Sequence, residues 1–206
     1  MGKIKVLIAD DHAIVRIGLR SVFGDESDIE VVAEANNGIE AVREAVRTRP
    51  DVAVVDLVMP RKDGVATTRE ILAAVPSAKV LILTTFGTSD GIAHALDAGA
   101  SGAMMTTADD GMIVSASRRI AKGGQYISPD IRRQLEECPP VAKLSQRQEE
   151  VLQAIAQGKS NKEIASALGI RLDSVEDIAN ALYAKLGASN RAEAVDIAHR
   201  KHLLDL

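Results

Sequence analysis

The sequence is short of the residues that mark several classes of protein. It has one cysteine, Cys138, in 206 residues, and aromatic side chains make up only 2% of the chain. A single cysteine excludes an internal disulfide, so we expect a reducing, cytoplasmic environment. So few aromatic rings exclude a stacking platform for single-stranded nucleic acid. No apolar run reaches the length of a membrane span and the N-terminus shows no signal peptide, so no membrane partner is predicted.

The rest of the composition is that of an ordinary globular protein. Hydrophobic residues make up 46% of the chain and charged residues 26%. A chain of this length can form one large domain or two small ones, each with its own core. The order of sequence patterns favours two, because strand-like runs occur only in the first part.

The first part alternates short apolar runs with amphipathic stretches whose apolar residues recur three and four positions apart. Five strands are predicted at Lys5–Ala9, Ile29–Ala33, Val52–Val55, Val80–Leu83 and Gly102–Met105. Helices are predicted between and after them at Ala13–Phe23, Ile39–Arg47, Val65–Ala74, Ile92–Ala98 and Met112–Ala121. Strands and helices in strict alternation with short connections predict an α/β domain with a doubly wound, flavodoxin-like, five-stranded parallel sheet.

The strand pattern ends at Gly123-Gly124. Residues 128–143 contain three prolines, which favours a linker that is helical in part. From Leu144 onward the pattern is helical throughout, in four short segments. We therefore predict an α/β domain over residues 1–127, a linker over 128–143 and a small all-α domain over 144–206.

Three aspartates follow two of the predicted strands. Asp10 and Asp11 come directly after the first strand, and Asp56 directly after the third. The carboxyl ends of neighbouring parallel strands line one edge of the sheet, where ligands bind. Clustered carboxylates repel one another, and a hard divalent cation such as Mg²⁺ relieves that repulsion. The pattern indicates phosphoryl chemistry with Asp56 as nucleophile; the alternative is that Asp56 only ends a strand and the other two cap a helix.

Several longer motifs stand in a fixed order along the chain. In the first part they are Val6-Leu7-Ile8-Ala9-Asp10-Asp11-His12, Val54-Val55-Asp56-Leu57-Val58-Met59-Pro60-Arg61-Lys62-Asp63-Gly64, Val80-Leu81-Ile82-Leu83-Thr84-Thr85, Ala98-Gly99-Ala100-Ser101-Gly102 and Gly123-Gly124-Gln125-Tyr126-Ile127-Ser128. In the second part they are Leu144-Ser145-Gln146-Arg147-Gln148-Glu149-Glu150-Val151-Leu152 and Gly158-Lys159-Ser160-Asn161-Lys162-Glu163-Ile164-Ala165. Over essentially its whole length the chain resembles a NarL/FixJ-type response regulator, which joins a receiver domain to a LuxR-type helix-turn-helix.

The resemblance implies a role for each residue of the acidic site. Asp56 is the expected phosphoacceptor. Asp11 and Asp56 are expected to coordinate Mg²⁺ together with the backbone carbonyl of Val58, and Asp10 to help through a bound water. Thr84 is the expected switch residue, whose hydroxyl moves to hydrogen-bond the phosphoryl group.

Two positions of the receiver part depart from the family pattern. Receivers carry a lysine at the end of the fifth strand, where this chain has Thr106, and no lysine lies between Val80 and Lys122. The aromatic switch residue of the family is replaced by Ala103. A threonine hydroxyl brings no charge, so we expect phosphorylation to be weakly coupled to the outer face of the domain.

Nearby residues offer two substitutes for the missing groups. Arg61 or Lys62, in the loop after Asp56, could turn inward and supply the charge; the alternative, which we favour, is a solvated pair. Phe86 could replace the movable aromatic residue, although packing in the core is the simpler role.

The helix-turn-helix part also departs from the family. The resemblance identifies Asn161–Leu168 as its first helix, Gly169-Ile170 as the turn and Ser174–Leu186 as the recognition helix, whose beginning enters the major groove. Where the family has a lysine near that beginning, this chain has Glu176. Glu176 also stands three residues after Asp173, a spacing that suits a capping box and a late helix start.

Charge does not favour DNA binding by the second domain. Residues 141–206 contain nine Lys and Arg and nine Asp and Glu, so they lack the net positive charge typical of a DNA binder. Six residues can still form a local contact surface for DNA: Lys159, Lys162, Arg171, Ser174, Lys185 and Arg191. Glu176 can accept a hydrogen bond from a cytosine amino group, which would be a base contact rather than a defect.

Three functions remain open. The favoured one is a cytoplasmic, non-enzymatic transcription regulator of the two-component type that binds double-stranded DNA as a homodimer. Its partner would be a sensor histidine kinase, with phosphorylation of Asp56 weakly coupled or dispensable. The second is a protein-interaction regulator with degenerate DNA binding. The third, a Mg²⁺-dependent phosphatase using Asp56, is disfavoured because such enzymes place the nucleophile after the first strand with a second aspartate two residues on.

Overall fold

A computed structural model describes residues 2–85, 87–140, 144–200 and 203–204. The chain divides into two compact units, residues 1–139 and 140–206. Within the described ranges, no helix has both the length and the apolar character that crossing a bilayer requires.

The first unit is a parallel six-stranded sheet with helices on both faces. The strand order is β2-β1-β3-β4-β5-β6. The strands are β1 (Ile4–Ala9), β2 (Ile29–Ala35), β3 (Val52–Val55), β4 (Lys79–Thr84), β5 (Gly102–Met105) and β6 (Tyr126–Ile127). The helices are α1 (Ala13–Gly24), α2 (Gly38–Thr48), α3 (Gly64–Ala74), α4 (Ser89–Asp97), α5 (Asp110–Ala121) and α6 (Pro129–Glu137).

The central strands are apolar on both faces because helices cover both sides of the sheet. Leu7 and Val55 belong to one buried cluster, while Val6 and Val54 belong to the cluster on the opposite face. The predicted doubly wound α/β fold is therefore confirmed. The predicted strand number was one too low, because a two-residue strand is too short to give a periodic pattern.

Helix α6 corrects the predicted linker over residues 128–143. Ile131 is fully buried in the same apolar cluster as Ala103 of β5, and α6 packs against β5 and α4. Most of the segment is therefore part of the first unit, which extends to residue 139 rather than 127. The linker prediction rested on the prolines, but Pro129 is the first residue of a helix. At that position the missing N–H costs nothing, because it would have no partner within the helix. Residues 141–143 of the predicted linker lie outside the described ranges.

Shortening Ile131 should destabilise the first unit. We expect Ile131→Val to lower the free energy of unfolding by about 1 kcal/mol, because it removes one fully buried methylene group. Urea denaturation of the full chain measures the change. Ile39→Val is the matched control, since Ile39 is 52% exposed and should lose almost nothing. Equal midpoints for the two variants would contradict the assignment of α6 to this unit.

Among its described residues the second unit has four helices: α7 (Gln146–Ala156), α8 (Asn161–Leu168), α9 (Leu172–Leu186) and α10 (Arg191–Arg200). Helix α8 begins with a capping box between Ser160 and Glu163 and ends at Gly169, whose φ of 63° lies in the left-handed region that glycine favours. Helix α9 buries Val175, Ala179, Leu182 and Leu186 along one face. The expected helix-turn-helix, with its first helix and turn, thus forms as predicted.

The start of α9 differs from the prediction. The helix begins at Leu172 and not at Ser174, and its N-cap is Arg171, which makes no side-chain cap bond. The predicted capping box between Asp173 and Glu176 is wrong, because Asp173 lies inside the first turn and pairs with Arg171 across 2.9 Å. A carboxylate in the first turn is still favourable, since it lies near the positive end of the helix dipole.

Candidate functional site

The register of the sheet brings the ends of β1 and β3 together. Ala9 pairs with Val55, and the backbone N–H of Asp56 donates to the carbonyl of Ala9 across 2.8 Å. Asp10 and Asp56 therefore leave the sheet side by side. The loop after β3 closes tightly against this edge, because a Cβ atom at Gly64 would lie 2.4 Å from the backbone oxygen of Asp56.

Four side chains form one cluster at this edge. Ligand atoms of Asp10, Asp11, His12 and Asp56 all lie within 4.8 Å of one another. Asp10 and Asp56 are buried, and Asp11 keeps 32% of its side chain exposed. The sequence-predicted acidic site therefore assembles as one group, with oxygen donors suited to a hard divalent cation.

His12 lies at the start of α1 and also contacts the acid pair. It is the N-cap of α1, and its Nδ1 lies 2.9 Å from Oδ1 of Asp11 and 3.2 Å from Oδ1 of Asp10. The only sequence signal for this contact is its position directly after the acid pair. The imidazole thus adds a nitrogen to the carboxylate oxygens of the cluster.

Crowding changes the acidity of Asp56. Burial first, and then the charge of Asp10, raise the pKa of Asp56 from 3.8 to about 6, and Asp11 adds to this. The backbone N–H groups of Leu57 and Val58 act against the rise by donating to the carboxylate, the former across 2.7 Å. The folded chain thus resists ionisation of Asp56 and gains from any cation that offsets the charge.

This raised pKa predicts a pH-dependent stability. Between about pH 4 and 6 the native state binds more protons than the unfolded state. The stability that Asp56 contributes is therefore fully present below the pKa of the unfolded state and is lost as pH rises through about 6. We expect Asp56→Asn to stabilise the metal-free chain by about 1–2 kcal/mol at pH 8 and to change little at pH 4. Thermal unfolding at both pH values measures this. The exposed Asp25→Asn variant is the control, and a stabilisation independent of pH would show that ionisation of Asp56 is not its source.

Beside the acids, the end of β4 presents a buried hydroxyl. Thr84 is 1% exposed, and its Oγ1 has no hydrogen-bond partner among the described residues. A buried polar atom without a hydrogen-bond partner destabilises the fold unless a ligand supplies that partner. Thr84 therefore suits the predicted role of a hydroxyl that binds an incoming oxyanion.

The two departing positions lie on the neighbouring strand. Ala103 is fully buried in β5. Thr106 follows the end of β5, and its backbone N–H donates to the carbonyl of Thr84 across 2.9 Å. Its hydroxyl lies 3.1 Å from that of Thr85. Thr106, which the resemblance aligns with the family lysine, thus lies directly after the carboxyl end of β5 and carries no charge.

The nearby cations do not replace that lysine. Arg61 is exposed, as the favoured alternative of a solvated pair predicts. Lys62 keeps only 20% of its side chain exposed and forms an ion pair with Glu70. Arg16 donates to the backbone carbonyl of Asp10 across 2.7 Å, and its Nε lies 3.9 Å from Glu34. Phe86, the other suggested substitute, lies outside the described residues.

The outward face of α9 is acidic at its N-terminal end. Glu176 and Asp177 are exposed one turn after the exposed Asp173. Asn180 continues this face one turn beyond Glu176 and is also exposed. Ser174 is half-buried. Carboxylates on this face repel phosphate groups, and they can accept hydrogen bonds from cytosine.

Several of the predicted DNA-contacting residues also hold the second unit together. Arg191 donates to the backbone carbonyls of Ile155 and Lys159, and Lys185 donates to Oε1 of Gln148 across 2.9 Å. Arg171 pairs with Asp173. Lys159 is half-buried, and Lys162 is exposed on α8. These contacts reduce the basic surface that remains for phosphates.

Comparison with known proteins agrees with both units. The response regulator receiver domain family matches residues 6–118, and the family of bacterial regulatory proteins of the luxR type matches residues 142–198. The transcriptional regulatory protein LiaR of Bacillus subtilis is 36% identical over 211 residues, covering 98% of this chain and 100% of its own. The response regulator protein VraR of Staphylococcus aureus is 36% identical over 206 residues, covering 98% of this chain and 99% of its own.

A solved structure extends the likeness to three dimensions. The response regulator ChrA of a heme-sensing two-component system is 36% identical and superposes with a TM-score of 0.59, covering 98% of this chain and 100% of its own. Receiver domains of this family typically bind Mg²⁺ at the acidic pocket, the place where this chain gathers its carboxylates. The chain belongs to the response regulators that carry a receiver domain followed by a LuxR-type DNA-binding domain.

Proposed function

We propose that the chain regulates transcription as a homodimer on double-stranded DNA and that its receiver accepts a phosphoryl group at Asp56 from a sensor histidine kinase. We further propose that this phosphorylation controls the output weakly. The observation that carries the proposal is the edge of the sheet itself. It gathers Asp10, Asp11 and Asp56. Thr106, which the resemblance aligns with the family's lysine, donates its backbone N–H to the carbonyl of Thr84.

The chemistry proposed for Asp56 is one displacement at phosphorus. A carboxylate oxygen of Asp56 forms a bond to phosphorus. At the same time the bond from phosphorus to the donor atom breaks, and its electron pair stays on that atom. The donor atom is a histidine nitrogen of the kinase or, with acetyl phosphate, an oxygen of the acetate that leaves. The backbone N–H groups of Leu57 and Val58 orient the attacking carboxylate. The hydroxyl of Thr84, buried and without a partner among the described residues, is the proposed hydrogen-bond donor to the transferred group.

The donor set fits Mg²⁺. Asp11, Asp56 and the backbone carbonyl of Val58 would hold the ion, with Asp10 acting through a water. When bound, Mg²⁺ offsets the negative charge of the carboxylates and of the phosphoryl oxygens. The raised pKa of Asp56 supports this fit, because a cation removes the repulsion that opposes ionisation.

Weak coupling follows from the two replaced residues. A lysine ammonium 4 Å from the phosphoryl group would contribute roughly 4 kcal/mol at an effective dielectric of about 20, before desolvation. The hydroxyl of Thr106 contributes only a hydrogen bond. Ala103 has no aromatic ring, so a movement of Thr84 cannot change the rotamer of a ring at this position of β5, as it would in the family.

Titration of the purified chain with acetyl phosphate or beryllofluoride tests this part. We expect a Mg²⁺-dependent adduct at Asp56 in wild type, no adduct in Asp56→Ala and little change in dimerisation. Mass spectrometry detects the adduct formed with acetyl phosphate, and analytical ultracentrifugation measures the fraction of dimer. A slow-decaying adduct that comes with a strong dimerisation shift would contradict weak coupling.

A second candidate function is a protein-interaction regulator with degenerate DNA binding. The observation that favours it is the acidic start of α9, where Asp173, Glu176 and Asp177 are all exposed. We prefer DNA binding because the helix-turn-helix packs as expected and Glu176 and Asn180 both suit base edges.

Selection from a random DNA pool separates the two candidates. Wild type, Asp56→Ala and Glu176→Lys proteins are compared at several salt concentrations. Equal enrichment by wild type and Asp56→Ala would support DNA binding that does not require phosphorylation. Enrichment by Glu176→Lys alone would support the interaction regulator instead.

A further inference from the structure

Helix α6 is bound to the loop that follows the switch residue. The side-chain amide of Gln134 donates to the backbone carbonyl of Gly87 across 2.7 Å. Ser89, the first residue of α4, donates from its hydroxyl to the backbone carbonyl of Gln134 across 3.2 Å. Two bonds of opposite direction thus join α6 to the connection between β4 and α4 and to the first residue of α4.

Gly87 lies directly against Thr84. A Cβ atom at Gly87 would lie 2.6 Å from Cγ2 of Thr84 and 3.1 Å from Cδ1 of Ile92, so only glycine fits at this position. Ile92 is fully buried in the apolar cluster. Displacing the Gly87 backbone would therefore change the surroundings of Thr84 at once, because there is no free space between them.

The same helix is anchored at the position of the lost aromatic residue. Ile131 and Ala103 are both fully buried in one apolar cluster. The backbone N–H of Ser128, the N-cap of α6, donates to the carbonyl of Ala103 across 3.0 Å. In this chain, α6 therefore contacts both places that the family's switch would use: the loop after Thr84 and the β5 position of the aromatic ring.

We propose that Gln134 is a positioning residue for the phosphorylation site, whose amide holds Gly87 and thereby sets the placement of Thr84. This inference rests on the proposed role of Thr84. The contact between Gln134 and Gly87 needs no aromatic ring at position 103, and it lies within the first unit, which contains the whole of α6.

Hydrogen exchange of the full chain without ligands is the first test. Gln134→Met keeps the length of the side chain but removes the amide donor, and we expect exchange of the 84–90 segment to rise about 2- to 10-fold, as for the loss of one hydrogen bond. Arg133→Met, at an exposed position of the same helix, is the matched control and should change nothing. Equal exchange in the two variants would overturn the proposal.

Ser89→Ala separates positioning from mere docking of the helix. It removes the other bond to α6 but leaves the amide of Gln134 on Gly87. We expect it to speed exchange within 129–137 while leaving the 84–90 segment within about twofold of wild type. If Ser89→Ala loosens that segment as much as Gln134→Met does, Gln134 has only a structural role and the proposal fails.

Beryllofluoride with Mg²⁺ gives the functional readout. We expect Gln134→Met to weaken the apparent affinity about 2- to 10-fold, because the loop must be ordered when the ligand binds, while Arg133→Met keeps wild-type affinity. An unchanged affinity in Gln134→Met would contradict the proposal. A wild-type chain that binds no beryllofluoride would contradict phosphorylation of Asp56, and the ligand-free exchange would still decide the role of Gln134.

Discussion

Thr106→Lys should increase the affinity of the receiver for beryllofluoride in the presence of Mg²⁺ by about 10- to 100-fold. The full Coulomb term of roughly 4 kcal/mol is reduced by desolvation and by side-chain ordering, and the part that remains is about 1.4–2.8 kcal/mol. Thr106 also lines an open cleft of about 380 Å³ between α1 and α5, so close packing does not enclose its side chain on that side. Isothermal titration at fixed Mg²⁺ measures the affinity.

Thr106→Met is the matched control for this experiment. It has nearly the same length as lysine and, like lysine, removes the hydroxyl contact with Thr85, but it brings no charge. We expect its affinity to stay within about twofold of wild type. An equal gain in both variants would show that the hydroxyl contact, and not the missing charge, limits the site. Asp110 lines the same cleft, so Asp110→Asn in the lysine background shows whether that carboxylate competes for the new ammonium.

Glu176→Lys should strengthen binding to double-stranded DNA by about 10- to 100-fold at low salt. The substitution replaces a carboxylate on the exposed face of α9 with an ammonium. It removes one repulsion and adds about one phosphate contact, so the slope of log affinity against log salt should steepen by about 1. Fluorescence anisotropy with a mixed-sequence duplex at several salt concentrations gives both quantities.

The control for the DNA experiment is Glu149→Lys. It changes the net charge by the same amount at an exposed position of α7, so it reports the effect of total charge alone. A gain of the same size there would contradict a groove-facing role for Glu176. Glu176→Gln separates repulsion from base recognition: if the carboxylate reads cytosine, this variant changes the preferred sequence while the affinity for mixed DNA rises.

The acidic site could be predicted because it depends on strand order and little else. Asp10 and Asp56 each follow a buried strand, and parallel strands bring their carboxyl ends to one edge whatever the side chains around them. The pairing of Ala9 with Val55 places the two aspartates side by side at that edge. Thr106 follows the end of β5, which β4 separates from β3, so its identification as the lysine position came from the family resemblance and not from strand order.

The predictions of the linker and of the capping box were wrong because both relied on local sequence patterns. Pro129 and the prolines after it indicated a linker, but α6 is held by burial of Ile131, a tertiary contact that no local pattern reports. The capping box at Asp173 failed because α9 begins at Leu172 with Arg171 as its N-cap, so Asp173 lies inside the first turn and pairs with Arg171. The DNA contact of Arg191 stays a prediction; tertiary structure adds that its side chain donates to the carbonyls of Ile155 and Lys159.

The sequence by itself determined the family, the α/β fold, the acidic edge and the two missing groups, because each depends on residue type at a fixed place along a strand or helix. Only the tertiary structure decided the raised pKa of Asp56, the buried hydroxyl of Thr84 and the contact between Gln134 and Gly87. These three depend on distances between segments far apart in the chain. Burial and charge act over those distances, and a linear pattern does not contain them.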